Sequence, residues 1–290
     1  PVSPYNEDYH IFQTSKEEDV MRAIRTGLQG AGVRVECTKG EAWAGQEEIN
    51  VAYGPAIESA DTHSIVKNAV KEIAWSKGRA ATFMAKYSTE AAGSSSHIHL
   101  SLRGENDAPV FFDPAAEHGM SDAMRGFLAG LLAHASEITY FLAPNVNSYI
   151  RFVEATFAPT KAIWSRDNRT AGFRVVGEDT GSVRVECRVG GADLNPYLAY
   201  AAMIAAGLDG MENALPLEHE FTGDAYAARR VREVPKTLRA AAEEMRKSKM
   251  LRAAFGDDVI DHYAHAAAWE QSEYDRNVTD WEVFRGFERT

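Results

Sequence analysis

The chain is poor in cysteine, has no long apolar run and carries no excess of positive charge, and each shortage excludes a class of protein. Cys37 and Cys187 are its two cysteines among 290 residues. Each sits in an apolar, strand-like stretch, so no disulfide framework is indicated and a reducing, cytoplasmic setting is expected. No apolar run approaches a membrane span and no secretory signal opens the sequence, so no membrane partner is expected. The net charge of −11 argues against a nucleic-acid partner. Also missing are a Walker A loop, a G-x-G-x-x-G fingerprint, a G-x-S-x-G elbow and a C-x-x-C pair. If a nucleotide binds, metals and arginines must hold its phosphates.

What is present is an ordinary globular composition, 45% hydrophobic and 25% charged, long enough for a sizeable core. The most informative stretch is Gly93-Ser-Ser-Ser-His97-Ile-His99-Leu-Ser101-Leu102, a small-residue loop entering an alternating segment. Period-two alternation predicts a strand with Ile98, Leu100 and Leu102 towards a core and His97, His99 and Ser101 on the other face. That face reads either as two solvated histidines or as the lining of a polar site.

Ser15 and Glu18 form a capping-box pattern ahead of a helical stripe, Val20, Met21, Ile24 and Leu28. Strands are predicted over 33–37, 49–53 and 80–84. A helix capped by Asp61 should run to about Lys77, and a long amphipathic one from Ser121 to Phe141. Asn195-Pro196 opens an Ala-rich helix reaching about Gly210. Further helices begin near Pro235 and near Asp257. Strands and helices mix without a βαβ rhythm, so the fold class is α+β with a largely antiparallel sheet.

In Arg184-Val-Glu186-Cys-Arg188 the apolar residues share one face, leaving two guanidiniums flanking a carboxylate on the other. The segment reads as an exposed strand with ion pairs, or as an anion clamp beside a metal-binding glutamate. Glu41, Glu48, His97 and Glu186 together offer oxygen donors and one imidazole, which suits Mg²⁺ or Mn²⁺ better than zinc. No pair among them has a tight metal-ligand spacing.

Glu41-Ala-Trp-Ala-Gly-Gln-Glu-Glu48-Ile-Asn resembles the glutamine synthetase motif in which two metal-ligand glutamates straddle a Gly-Gln turn. The Gly93–Leu102 stretch resembles that family's metal-histidine loop and strand. Asn147-Ser-Tyr-Ile-Arg151, Asp167-Asn-Arg169-Thr-Ala-Gly-Phe-Arg174 and Arg184-Val-Glu186-Cys-Arg188 with Asn195-Pro-Tyr-Leu resemble its remaining blocks, in order. The resemblance implies one catalytic domain over residues 1–290, a largely antiparallel curved sheet with surrounding helices. It implies ATP-dependent ligation of ammonia or an amine to the γ-carboxylate of L-glutamate through γ-glutamyl phosphate, in a ring homo-oligomer. Glu41 and Glu48 would bind one Mg²⁺ or Mn²⁺, His97 and Glu186 a second. Arg151 and Arg188 would hold glutamate, with Gly93 against it in a flap. Arg169 and Arg188 would act on the transferred phosphoryl, and Arg174, Arg184, His99 and Ser101 would serve ATP.

Three departures from the family pattern stand out. The family's Glu-x-Glu pair and N-terminal β-grasp domain have no counterpart, so a truncated chain is expected; a catalytically inactive homologue with a regulatory or assembly role is the alternative. Ala92 replaces the flap asparagine. Phe157 stands where ammonia-using members carry a glutamate, and Glu154 could partly replace that charge. Thr156-Phe-Ala-Pro-Thr160 resembles the corresponding segment of γ-glutamylpolyamine and γ-glutamyl-monoamine synthetases. An organic amine, such as a polyamine or ethanolamine, is therefore expected as nucleophile, with ammonia as the alternative.

Overall fold

The computed structural model describes residues 1–153 and 156–289. Helices α1 (Ile11–Thr14) and α2 (Glu18–Gly30) lead into strands β1 (Val35–Gly40) and β2 (Glu47–Val51), then α3 (Ala56–Ser76) and β3 (Ile98–Leu100). Helices α4 (Asp122–Ala133), α5 (Ala135–Leu142) and α6 (Val146–Ile150) follow, then β4 (Trp164–Arg166), β5 (Phe173–Val176) and β6 (Arg184–Cys187). The rest is helical: α7 (Pro196–Glu212), α8 (Leu238–Lys247), α9 (Lys249–Phe255), α10 (Asp257–Asp275) and α11 (Asp280–Gly286). Among the described residues no helix is long and apolar enough to cross a membrane.

Strands β1 and β2 form an antiparallel hairpin, and the other four form a sheet in the order β3-β6-β5-β4. Only the β4–β5 neighbours in it run parallel. Its apolar face, with Ile98, Val175, Val185 and Cys187, packs on Phe127, Leu128 and Leu131 of α4 and Met203 of α7. Helices α4 and α7 touch backbone to backbone. A Cβ on Gly130 would lie 2.1 Å from the Ala206 carbonyl oxygen, and one on Gly210 would lie 2.2 Å from that of Gly126. A smaller core of Met21, Ile24, Leu28 and Val70 holds the hairpin through Val35, Ile49 and Val51.

The α+β class and the two-faced strands hold, while several local expectations do not. Ser15 does not cap α2: residues 11–14 already form a helical turn, and Ser15 Oγ donates to the Ile11 carbonyl at 2.8 Å, leaving Glu17 as N-cap. Helix α3 starts after Pro55, so Asp61 lies inside it and accepts a hydrogen bond from the Tyr197 hydroxyl. Residues 80–84 alternate in burial, with Ala81 and Phe83 against the smaller core, but pair with no strand. The hairpin strands are displaced by about two residues from the predicted spans. The helix expected from Ser121 to Phe141 breaks at His134, whose imidazole bridges Glu137 at 3.0 Å and Asp209 at 2.8 Å.

Candidate active site

The polar face of the four-stranded sheet is built by register. His99 pairs with Glu186 across β3 and β6, and Glu186 with Arg174 across β6 and β5, so an imidazole, a carboxylate and a guanidinium stand in one row. Glu186 is 2% exposed. Its Oε2 accepts a hydrogen bond from Arg174 at 3.0 Å and its Oε1 one from Arg188 at 2.7 Å. His97 Nδ1 lies 3.4 Å and His99 Nε2 3.7 Å from the same Oε1. Burial opposes the charge on Glu186, yet Arg188, the two imidazoles and Arg174 hold its carboxyl below the usual range. Burial and the Arg188 charge push His97 down to about 3, so the ring is neutral and keeps a lone pair for a metal. Arg184 donates to His99 Nδ1 at 3.2 Å and to the Ser182 carbonyl at 3.1 Å.

The second part of the site is the β1–β2 hairpin. Its turn closes through a Glu41 N–H donated to the Gln46 carbonyl at 2.7 Å, which brings Glu41 and Glu48 into hydrogen-bond contact. Burial and the neighbouring Glu48 push Glu41 up to about 7. Burial also acts against a charge on Glu48, but its hydrogen bonds with Glu41 and Asn50 keep that carboxyl below its ordinary value. Lys39, opposite Glu48 in the hairpin, sets its ammonium against Glu41, 3.8 Å from Glu48 and 3.6 Å from Asp8. Gln46 ties the hairpin to the sheet, donating to the Gly93 carbonyl at 3.0 Å.

The third part is Arg151, at the C-terminus of α6 and 2% exposed. Its guanidinium donates to the Val189 carbonyl, its Nε has no partner, and no carboxylate lies within ion-pair distance among the described residues. Burial lowers its pKa to about 10, so it stays charged near neutral pH. Gly93 lies against its stem: a Cβ there would be 2.3 Å from Arg151 Cγ. Asp193 fixes the start of α6 by accepting from Ser148 at 2.6 Å and Asn145 at 2.9 Å.

Among the other sequence candidates, Arg169 carries its carbonyl to Arg188 Nε at 3.1 Å and hydrogen-bonds Tyr9 with its own side chain. Ser101 is exposed just beyond β3. Phe157 is 66% exposed with a left-handed φ of 60°, and Glu154 lies outside the described residues. Lys39, Tyr9, Gln46 and Asp193 escaped the sequence reading. Lys39 could have been found, since residues two apart on a strand share a face with Glu41. Tyr9 and Asp193 carried no sequence signal.

The donor set fits hard divalent cations. Glu41 and Glu48 form one pair, and Glu186 Oε1 and His97 Nδ1 form another. Among the described residues no group of three His, Cys, Asp or Glu side chains could hold a metal. A closed zinc-type cage needs such a group, whereas Mg²⁺ keeps waters and substrate phosphates beside one or two carboxylates. The shared position of the Glu41 and Glu48 carboxyls, one pushed towards protonation by the other, is what a cation would relieve.

Helices cover one face of the sheet, and carboxylates, a neutral imidazole and several guanidiniums share the other, a set of groups whose chemistry suits anions and hard cations. The chain belongs to the glutamine synthetase family: residues 3–285 match the family model for the glutamine synthetase catalytic domain. It is similar to a gamma-glutamylethanolamide synthetase of Streptomyces coelicolor, 47% identical over 289 residues, covering 100% of this chain and 61% of that one. It is also similar to a glutamate–isopropylamine ligase of Pseudomonas sp, 38% identical over 98% of this chain and 62% of that one. The glutamine synthetase of Thermus thermophilus is 37% identical over 96% of this chain and 64% of its own length. A solved structure titled GmaS/ADP complex superposes with a TM-score of 0.91 at 28% identity, covering 99% of this chain and 68% of that one. The chain thus spans about three-fifths of the curated relatives' length.

Proposed function

We propose that the protein is an ATP-dependent carbon–nitrogen ligase that joins an organic amine to the γ-carboxylate of L-glutamate. The observation that carries this reading is Arg151, a buried guanidinium with an unused Nε and, among the described residues, no carboxylate within ion-pair distance. Asp193 acts on that charge only from beyond ion-pair distance, and a buried charge without a close counterion is costly, which favours an anionic ligand beside it. Arg151 and Arg188 would hold glutamate beside the sheet, and Arg174, Arg184 and His99 would face the phosphates of ATP. Mg²⁺ or Mn²⁺ would be held by Glu41 with Glu48, and by Glu186 with His97, and would supply neutralisation of phosphate charge.

The γ-carboxylate and the γ-phosphoryl group repel, and the arginines on this face offset that repulsion while holding both in line. A carboxylate oxygen attacks the γ-phosphorus and ADP leaves. The amine then attacks the acyl phosphate carbon, phosphate leaves, and the nitrogen loses a proton. Arg169, on a neighbouring loop, would receive negative charge on the phosphoryl group.

Phe157 supports an organic amine over ammonia: its ring cannot accept a proton or neutralise ammonium, but can pack on a methylene chain or meet a substituted ammonium by cation–π contact. Two of the relatives above are named for organic amines. We further propose residues 1–290 as one catalytic unit, a ring homo-oligomer in the cytoplasm, and no nucleic-acid or membrane partner; the free thiols Cys37 and Cys187 accord with that compartment. The test is phosphate release by the intact gene product with glutamate, ATP and a panel of amines that includes ammonium. An organic amine should show the highest kcat/KM, and Phe157→Glu should shift the preference towards ammonium. Ammonium as best substrate, unaffected by Phe157→Glu, refutes the amine reading; no phosphate release with any amine refutes the ligase reading.

A further inference from the structure

After α7 the chain turns back and lies along residues 160–170. Trp164 donates to the Glu218 carbonyl at 2.8 Å, the Phe221 N–H to the Trp164 carbonyl at 3.0 Å, and Asn168 to the Gly223 carbonyl at 2.8 Å. The Ala225 N–H donates to Thr170 Oγ1 at 2.8 Å. Further on, Ala162 N–H donates to the Arg232 carbonyl at 2.9 Å and Val234 N–H to the Thr160 carbonyl at 2.9 Å. A small apolar cluster of Ile163, Ala171 and Ala225, with Phe221 and Val231, pins the middle. This is an ordered strap, bonded at both ends and at its centre to the segment that carries Arg169.

Tyr226 is the next residue after the Thr170 anchor, in a short 3₁₀ turn whose N-cap, Asp224, accepts its N–H at 2.9 Å. Its hydroxyl is buried and has no hydrogen-bond partner among the described residues. Buried hydroxyls are nearly always paired, so an unpaired one calls for a partner that arrives from outside the chain. Burial raises its pKa; the charges acting on it are those of Arg188, Asp224 and Arg151, and Arg151 in turn feels the phenol. Arg151 Nε is itself an unpartnered donor. Tyr226 and Arg151 thus each keep a buried donor without an acceptor among the described residues, and the Arg188 charge acts on both.

We propose that Tyr226 is a substrate-binding residue, its hydroxyl donating to the glutamate carboxylate held by Arg151. The proposal rests on the glutamate reading above and adds to it a donor delivered by the strap. A charge-assisted hydrogen bond of this kind discriminates carboxylate-bearing ligands from neutral analogues of the same shape.

The test is steady-state kinetics and thermal unfolding of the intact gene product and two variants, Tyr226→Phe and Arg151→Met. Tyr226→Phe should raise the KM for glutamate about tenfold, with kcat, the KM for ATP and Tm essentially unchanged. An unchanged glutamate KM overturns the proposal, as does a parallel rise in both KM values with a fall in Tm, which would make Tyr226 a support for the strap. Arg151→Met separates the two levels of inference. If it abolishes saturation by glutamate while Tyr226→Phe does nothing, the glutamate site stands and Tyr226 is not part of it. If glutamate saturates Arg151→Met normally, the glutamate reading itself falls.

Discussion

Gly93→Ala adds one methyl group, and the structure says where it goes. Its Cβ would lie 2.3 Å from Arg151 Cγ, 2.9 Å from Cδ and 3.1 Å from the Ala85 carbonyl oxygen. An unstrained carbon–carbon contact is about 3.5–4 Å, so something must move by about 1 Å. The loop is poorly placed to yield. The Ser94 N–H donates to the Ala85 carbonyl at 2.9 Å, Lys86 and Asn147 exchange hydrogen bonds of 3.0 and 2.8 Å, and Gln46 holds the Gly93 carbonyl. The Arg151 side chain must therefore give way, dragging the guanidinium from its bond to Val189. Overpacking of this kind costs ~1–3 kcal/mol of stability. A 1 Å misplacement of a positioning group costs on the order of 10²-fold in rate. The assay is kcat/KM for glutamate, with the KM for ATP and Tm measured alongside. The expected result is a loss of about 100-fold in kcat/KM for glutamate, with ATP affinity little changed. Near-native kcat/KM for glutamate in a folded Gly93→Ala protein would show that the packing of Gly93 on Arg151 does not set the glutamate site.

Three further outcomes follow from the geometry. Lys39→Met removes the ammonium that competes for Glu41 and Glu48, so Mn²⁺ should bind on the order of tenfold more tightly in an electron paramagnetic resonance titration; equal or weaker binding would refute that role. His134 is raised by hydrogen bonds to Glu137 and Asp209 against the pull of burial, so its stabilising effect is full below the ordinary histidine value of 6.5 and lost as pH climbs through the raised one. Glu137 is held low despite burial by His134 and Ser248, so its share is lost only on acidification through its lowered pKa. The Tm gap between the native protein and His134→Gln should accordingly be widest in the window between those two values and close at alkaline pH, and a gap independent of pH would contradict the bridge. Gly130→Ala meets backbone at 2.1 Å and 2.8 Å, where neither helix can yield a side chain. It should cost ~3 kcal/mol and lower Tm by roughly 5–10 °C; an unchanged Tm would mean the α4–α7 crossing is looser than described.

The parts of the molecule legible in the sequence were those governed by short-range periodicity. Alternation in Ile98–Leu102 and Val183–Val189 put the apolar residues in the core, as Ile98, Val185 and Cys187 show. The five ordered blocks carried the resemblance to the family by their residues and their order. Where one residue had two options, local rules misled. Ser15 matched a cap but found a nearer carbonyl in α1, and residues 80–84 alternated without a strand to pair with. His134 was invisible as a helix break because its partner Asp209 lies on α7, 75 residues away. Tyr226 and Tyr9 reached the site by the same kind of long-range return, which carries no local pattern. Lys39 was overlooked although its strand partner Glu48 was already a candidate.

The single side chain of Gln46 joins two regions that have separate tasks. Its backbone closes the turn between Glu41 and Glu48, while its amide holds the carbonyl of the residue that packs on Arg151. A shift of that turn on loading its carboxylates would reach the residues packed on Arg151 through the two hydrogen bonds of that amide, to the Gly93 carbonyl and to Ser94 Oγ. Thermodynamic reciprocity makes the traffic two-way: whatever factor a cation at Glu41 and Glu48 contributes to glutamate affinity, glutamate returns to cation affinity. If both ligands bind as proposed, their binding isotherms would show a cross-dependence that vanishes when residue 46 can no longer donate.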